Sequence, residues 1–263
     1  PKGATLSHKN IINNAVSCAK AMNLTHYDRV CIPVPLYHCF GMVLGTLACC
    51  AAGATMIYPS EGFEPDKTMH ALKSESCTAV HGVPTMFSAM LASSEFNGKP
   101  IKSLRTGIMA GSQCPEVLMR RVLYDLGCSE ITIAYGMTET SPISFQSDVN
   151  DPVDVRVSTV GRIQPHCEVK IVEDDGSTCA VGQTGELWTK GYLVMKGYWN
   201  DTEATQSSIE NGWMKTGDLA TIDNEGFCRI VGRKKDMVIR GGENIYPAEL
   251  EEFLATQKRI LEA

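Results

Sequence analysis

The chain has 263 residues, 43% of them hydrophobic and 21% charged, a balance that supports one large or two smaller globular domains burying well over half of the unfolded surface. A formal net charge of −6 excludes a domain-wide basic field for nucleic acid. The longest apolar run, Met42 to Ala54, is too short for a membrane span and is interrupted by Gly45 and Gly53. Eleven cysteines lack any C-x-x-C pair or zinc-like His spacing, and they are expected to be buried free thiols.

Pro1-Lys2-Gly3 opens the chain without an initiator methionine, which sets the expectation that the sequence begins inside a longer protein. Ser7 caps a helix running to about Met22, with Leu6 and Ile11 placed as a hydrophobic staple. Arg29 to Val34 is a short strand that delivers Leu36-Tyr37-His38 to its end, and a buried helix over Met42 to Ala52 stops at Gly53. Strands at Thr55–Tyr58, Thr78–Val80 and Arg105–Ala110 then alternate with helices at Pro65–Lys73, Pro84–Ser93 and Pro115–Leu126. That alternation predicts an α/β fold over residues 1–148, a parallel sheet with helices on both faces. From 149 to 234 the pattern changes to short strands near Gly161–Ile163, Val169–Val172, Gly185–Thr189, Leu219–Ile222 and Phe227–Val231, a small β subdomain. Asp223 to Gly226 reads as a hairpin turn rather than a calcium loop, since further ligand spacing is absent. Residues 235–263 carry a last helix, Pro247 to Leu254, rich in Glu near its start.

The chemistry concentrates in Ile133 to Thr140, IAYGMTET. Glu130 to Ala134 is apolar or β-branched enough for a buried parallel strand, and Tyr135-Gly136 is expected to stop it at the sheet edge where α/β folds place ligands. The turn offers an aromatic face at Tyr135, close backbone approach at Gly136, hydroxyls at Thr138 and Thr140, and one carboxylate at Glu139. Those groups suit a purine, a phosphate and a divalent cation, because a carboxylate repels phosphate oxygens unless a cation such as Mg²⁺ lies between them. A plain polar turn is the alternative.

Six ordered motifs carry a wider resemblance: PKG, PLYHCFG, AYGMTET, GELWTKG, MKTGDL and GRKKDMVIRGGENIYPAELE. Together they resemble the adenylate-forming superfamily of acyl-CoA synthetases, adenylation domains and luciferases, with wording similar to the mitochondrial medium-chain acyl-CoA ligase group. The resemblance implies a fragment of the large N-terminal domain of such an enzyme, which joins ATP to a carboxylic acid and passes the acyl group to coenzyme A. It implies that Tyr135 and Gly136 contact adenine, that Thr138 donates to the α-phosphate, and that Glu139 holds Mg²⁺. Asp218 would take the ribose hydroxyls, Arg233 ribose and phosphate, and Ala110, Gly111 and Ser112 would line adenine and the acyl chain. His38 would lie near the substrate carboxylate, Lys235 would be the hinge of a C-terminal domain, and Gly241-Gly242 would open the path for pantetheine. Val83, Met109 and Met137 are candidate apolar walls, with core packing as the alternative.

Two parts of the family pattern fall outside these 263 residues: the Ser/Thr/Gly-rich phosphate loop before Pro-Lys-Gly, and a lysine of the C-terminal domain. The chain alone is therefore expected to be inactive. A module that loads a carrier-protein thiol and a nonenzymatic nucleotide-binding fragment are the competing readings. By resemblance the compartment is the mitochondrial matrix, with the cytoplasm as alternative, and the oligomeric state is open.

Overall fold

The structure, a computed structural model, describes residues 2–112, 114–240, 243–247, 250 and 253–254. Strand β1 (Ala4–Thr5) leads through α1 (His8–Ala21) to β2 (Arg29–Cys31), and a wide π-type helix (Phe40–Leu47) continues as α2 (Ala48–Ala52). Then follow β3 (Thr55–Ile57), α3 (Pro65–Ser74), β4 (Ala79–Gly82), α4 (Pro84–Ala92), β5 (Thr106–Ala110), α5 (Glu116–Tyr124) and β6 (Glu130–Gly136). After a single 3-10 turn (Thr138–Thr140) come β7 (Ile143–Gln146), α6 (Val153–Ser158), β8 (Arg162–Ile163), β9 (Cys167–Val172), β10 (Gly185–Gly191) and β11 (Gly197–Tyr198). The described chain closes with α7 (Thr202–Ser208), β12 (Ile209–Glu210), β13 (Trp213–Ile222), β14 (Cys228–Arg233), β15 (Val238–Arg240) and β16 (Glu243–Ile245).

Among the described residues one sheet has the order β3-β2-β4-β5-β6-β7-β8. Its first five strands are parallel, and β7 and β8 are added antiparallel. Alternate strand residues feed two separate cores, as the period of two requires. Val30, Ala79, Ile108 and Ala134 pack with α1, the wide helix and α2, whereas Cys31, Val80, Met109 and Ile131 pack with α3, α4, α5 and α6. Both faces are covered, as expected.

Helix α1 begins where Ser7 accepts from the Asn10 N–H at 3.2 Å and the Asn10 side chain accepts from the Ser7 N–H at 2.6 Å. The staple does not form as one cluster. Leu6 packs with Met195, Tyr198 and Met214, while Ile11 joins the core beneath the wide helix. Buried Asn14 grips β7 twice, donating to the Ile143 carbonyl at 2.7 Å and accepting from its N–H at 3.1 Å. A single α1 residue thus fixes the strand beside the candidate site.

A second sheet joins β12, β13, β10 and β9, with β14 on the far part of β13. Its inner face packs Ile171, Leu187, Ala220 and Cys228 against Phe145 of β7. The strand expected at 161–163 in this sheet instead pairs with β7, and α6 packs with the core of the large sheet. The run at Met42 to Ala52 is not one regular helix, because Gly41 and Gly45 let the wide segment press on Pro35 and Ile32, where added Cβ atoms would stand 2.4 and 2.8 Å from existing atoms. The Asp223 turn is a hairpin turn: its Oδ1 accepts from the Glu225 and Phe227 N–H groups. The cysteines are free, and Cys50 among them is exposed. Of the expected helix at Pro247–Leu254, residues 247, 250, 253 and 254 are helical, and the other four lie outside the described residues. Among them no helix is long and apolar enough to cross a membrane.

Candidate active site

Because β2, β4, β5 and β6 run parallel, the segments after their carboxyl ends meet along one rim. That rim receives His38 after β2, Ala110-Gly111-Ser112 at the end of β5, and Tyr135 to Glu139 from β6. Ala110 is buried, and Gly111 and Ser112 are exposed. Gly111 adopts φ 94° and passes over Val83, whose Cγ1 would stand 3.0 Å from an added Cβ. Met109 is fully buried in the core, so it is no part of an open wall.

Strand β6 does not stop before Tyr135-Gly136. It runs through both, pairing Tyr135 with Phe145 and Gly136 with Ile143, because β7 returns immediately alongside. Gly136 permits that return: a Cβ there would lie 1.9 Å from the Pro142 carbonyl oxygen. Thr140, grouped with the donors in the sequence, is buried and closes its own loop through the Met137 N–H and carbonyl.

Tyr135 donates its hydroxyl to Asp218 Oδ2 at 2.5 Å across 83 positions of sequence. Asp218 lies within β13, beside Gly217 with φ 74° in the bulge that β13 forms opposite β10 between Lys215 and Leu219. Its N–H bonds Thr216 Oγ1 at 3.1 Å, and Arg233 on the paired strand places Nε 3.4 Å from Oδ1. Burial raises the Asp218 carboxyl above its ordinary range, against the pull of the Tyr135 hydrogen bond and of Arg233. Burial, then the Asp218 charge and hydrogen bond, raise the Tyr135 phenol, so it stays a protonated donor.

Glu139 is half-buried beside exposed Thr138. Its Oε1 accepts the hydroxyl of Tyr198 at 2.7 Å, a partner that sequence reading missed. Thr138 Oγ1 lies 3.6 Å from Cys39 Sγ, the thiol next to His38. Exposed His38 turns Nδ1 back to accept from the Phe40 N–H at 3.0 Å, leaving Nε2 as the outward nitrogen. Among the described residues no three His, Cys, Asp or Glu form a metal cluster. Glu139 thus offers one carboxylate, the donor set that Mg²⁺ takes when substrate phosphates and water complete its shell.

Lys235 is exposed in the turn after β14, and Gly241 and Gly242 lie outside the described residues. A cleft of about 720 Å³ between α1 and the β8 edge, lined by Lys9, Lys20, Gln164 and Tyr192, contains none of these site residues. Signals for Tyr198 and Cys39 were faint. Cys39 stands in the quoted PLYHCFG motif and Tyr198 in none, and their partners are 99 and 59 residues away.

Residues 1–199 match the sequence pattern of the AMP-binding enzyme family. The chain belongs to that family. It is 53% identical over 266 residues to a putative acyl-CoA synthetase, YngI, of Bacillus subtilis (strain 168), covering 100% of this chain and 48% of that protein. It is 46% identical over 267 residues to the mitochondrial medium-chain acyl-CoA ligase ACSF2 of Danio rerio, covering 100% of this chain and 44% of that one. The chain spans about half the length of the curated relatives it matches. Among solved structures it is similar to o-succinylbenzoate-CoA synthetase of Bacillus subtilis, at 33% identity and TM-score 0.88, covering 100% of this chain and 52% of that one. That structure holds an acyl-adenylate, and another of the same enzyme holds ATP and a magnesium ion. The α/β architecture is therefore that of the AMP-binding enzymes, matched over the whole chain.

Proposed function

We propose that the protein carrying this chain activates a carboxylic acid with ATP, forming acyl-adenylate and pyrophosphate, and then transfers the acyl group to coenzyme A. The observation that carries this reading is the single rim on which Tyr135, Asp218, Thr138 and Glu139 converge from β6 and β13. Tyr135 and Asp218 form a preset edge for adenine and ribose, with Gly136 and the Ala110-Gly111-Ser112 turn leaving room for the base. Arg233 adds positive charge for ribose and phosphate, while exposed Thr138 offers its hydroxyl to the α-phosphate. Glu139 is the residue to hold Mg²⁺; when bound, the cation supplies neutralisation of phosphate charge. His38, with Nε2 outward, orients the substrate carboxylate for attack on the α-phosphorus.

A fatty acid of medium chain length is the proposed acid, supported by the Danio rerio relative. The same relative supports a mitochondrial location, and the bacterial relative is compatible with the cytoplasmic alternative. A carrier-protein thiol as acceptor is the second reading, separated from the first by supplying free coenzyme A. The test is exchange of labelled pyrophosphate into ATP by the full-length protein with octanoate. Exchange that depends on the acid, and that falls on the order of 10²-fold or more in Glu139→Gln, is expected. Exchange undiminished in Glu139→Gln rejects the role of Glu139, and no exchange with any fatty acid rejects the activity. The 263-residue chain alone should show no exchange, since its residues include no glycine-rich cradle for the β- and γ-phosphates.

A further inference from the structure

We infer that Tyr198 is a positioning residue that fixes the Glu139 carboxylate for its divalent cation, and that it ties this carboxylate to the strand following Pro-Lys-Gly. The inference rests on the proposed reading of Glu139 as a cation ligand. Tyr198 is only 9% exposed and sits among Met195 and Met214, an apolar cluster that a phenylalanine would fill equally well. Its hydroxyl donates to Glu139 Oε1 at 2.7 Å, with the Ser208 side chain as a second hydrogen-bonding neighbour. Occupying Oε1 leaves the other carboxylate oxygen for a cation and removes a rotamer choice that the cation would otherwise have to restrict.

The backbone around Tyr198 is held on several sides. The Met195 N–H donates to the Glu139 carbonyl at 2.9 Å, and Tyr198 pairs with Ala4 in the β1–β11 ladder. The Trp199 N–H reaches the Gly3 carbonyl at 2.7 Å, and the Lys2 ammonium lies 4.8 Å from the centroid of the Tyr198 ring. The ring therefore spans from Lys2 to Glu139. A displacement of the strand at Lys2 would be felt at the carboxylate through one rigid aromatic side chain.

The experiment compares wild type and Tyr198→Phe in the full-length protein, with Mn²⁺ binding to the protein–ATP complex read by electron paramagnetic resonance of the free ion. Loss of this outer hydrogen bond should weaken Mn²⁺ about tenfold, with ATP affinity in a chelator unchanged and the urea midpoint near wild type. A folded Tyr198→Phe protein with wild-type Mn²⁺ affinity overturns the inference while leaving the role of Glu139 standing. A wild type that binds no Mn²⁺ with ATP removes the reading of Glu139 and the inference with it. If Tyr198→Phe does not fold, Tyr198→Leu, which also suits the Met195 and Met214 cluster, is read by the same Mn²⁺ measurement, and a folded Tyr198→Leu protein with wild-type Mn²⁺ affinity overturns the inference.

Discussion

His81 shows how one side chain's surroundings set its chemistry. It lies on β4 with no exposed surface, its Nε2 3.1 Å from the Leu44 carbonyl and its ring 5.7 Å from that of Phe40. A carbonyl only accepts, so Nε2 carries the proton, and Nδ1 has no recorded partner among the described residues. Burial pushes the imidazole pKa down to about 4, against smaller upward pulls from backbone groups. With an unfolded value of about 6.5, the unfolded chain binds more protons between these two limits. Stability is therefore full above the unfolded value and is lost as pH falls toward the folded one. Between pH ~7.5 and ~5 this group alone should remove about 2 kcal/mol, measured as a fall in the urea midpoint. His81→Gln keeps an N–H donor for Leu44 and should flatten that slope. An equal slope in the variant would reject His81 as its source. Other residue-level features differ in how far the sequence discloses them. Tyr135, Thr138 and Glu139 share one hexapeptide and are legible, but the Glu139–Tyr198 bond joins residues 59 positions apart and needs the fold to be seen.

At the scale of elements, the helices and strands up to β6 follow from periodicity and from Ser7, Pro65, Pro84, Gly53 and Gly127 as boundary residues. What escaped the sequence was set by tertiary contact. The wide helix depends on Gly41 and Gly45 meeting the segment after β2 at Pro35 and Ile32, while α6 packs on the large sheet through Val157 and β8 joins it by pairing with β7. The return of β7 beside β6 depends on Gly136, and its cost can be measured. In Gly136→Ala the new Cβ would meet the Pro142 carbonyl oxygen at 1.9 Å and the Ser144 nitrogen at 2.9 Å, both rigid backbone. The two strands must part, so stability should fall by about 3 kcal/mol, and the Tyr135 phenol should lose its fixed distance from Asp218. Gly62→Ala, with nothing within 4 Å, is the control and should stay within about 0.5 kcal/mol. Equal urea midpoints for the two variants would show that β7 can shift without loss.

At the scale of the whole molecule, the question is where the rigid body ends. Lys234 is anchored: its N–H donates to the Gly217 carbonyl at 2.9 Å, and its ammonium lies 2.8 Å from Asp174 and 3.3 Å from Glu186. Lys235 is the next residue, exposed and without a recorded ion pair among the described residues. The turn that holds it is closed by the Asp236 and Met237 N–H groups on the Arg233 carbonyl, so the Lys235 N–H takes no part in those bonds. Proline at 235 would therefore break neither bond but would fix φ near about −65°. We propose Lys235 as a hinge between this body and the chain that follows, and Lys235→Pro in the full-length protein tests it. Adenylation needs one arrangement of the two parts and should persist, with pyrophosphate exchange within about twofold of wild type. On this proposal thioester formation needs a second arrangement, and it should fall by at least about 10²-fold. A surface lysine without a hinge role predicts instead a small loss shared by both steps. Adenylate formation and thioester formation are measured separately on the same preparation, and equal impairment of the two rejects the hinge.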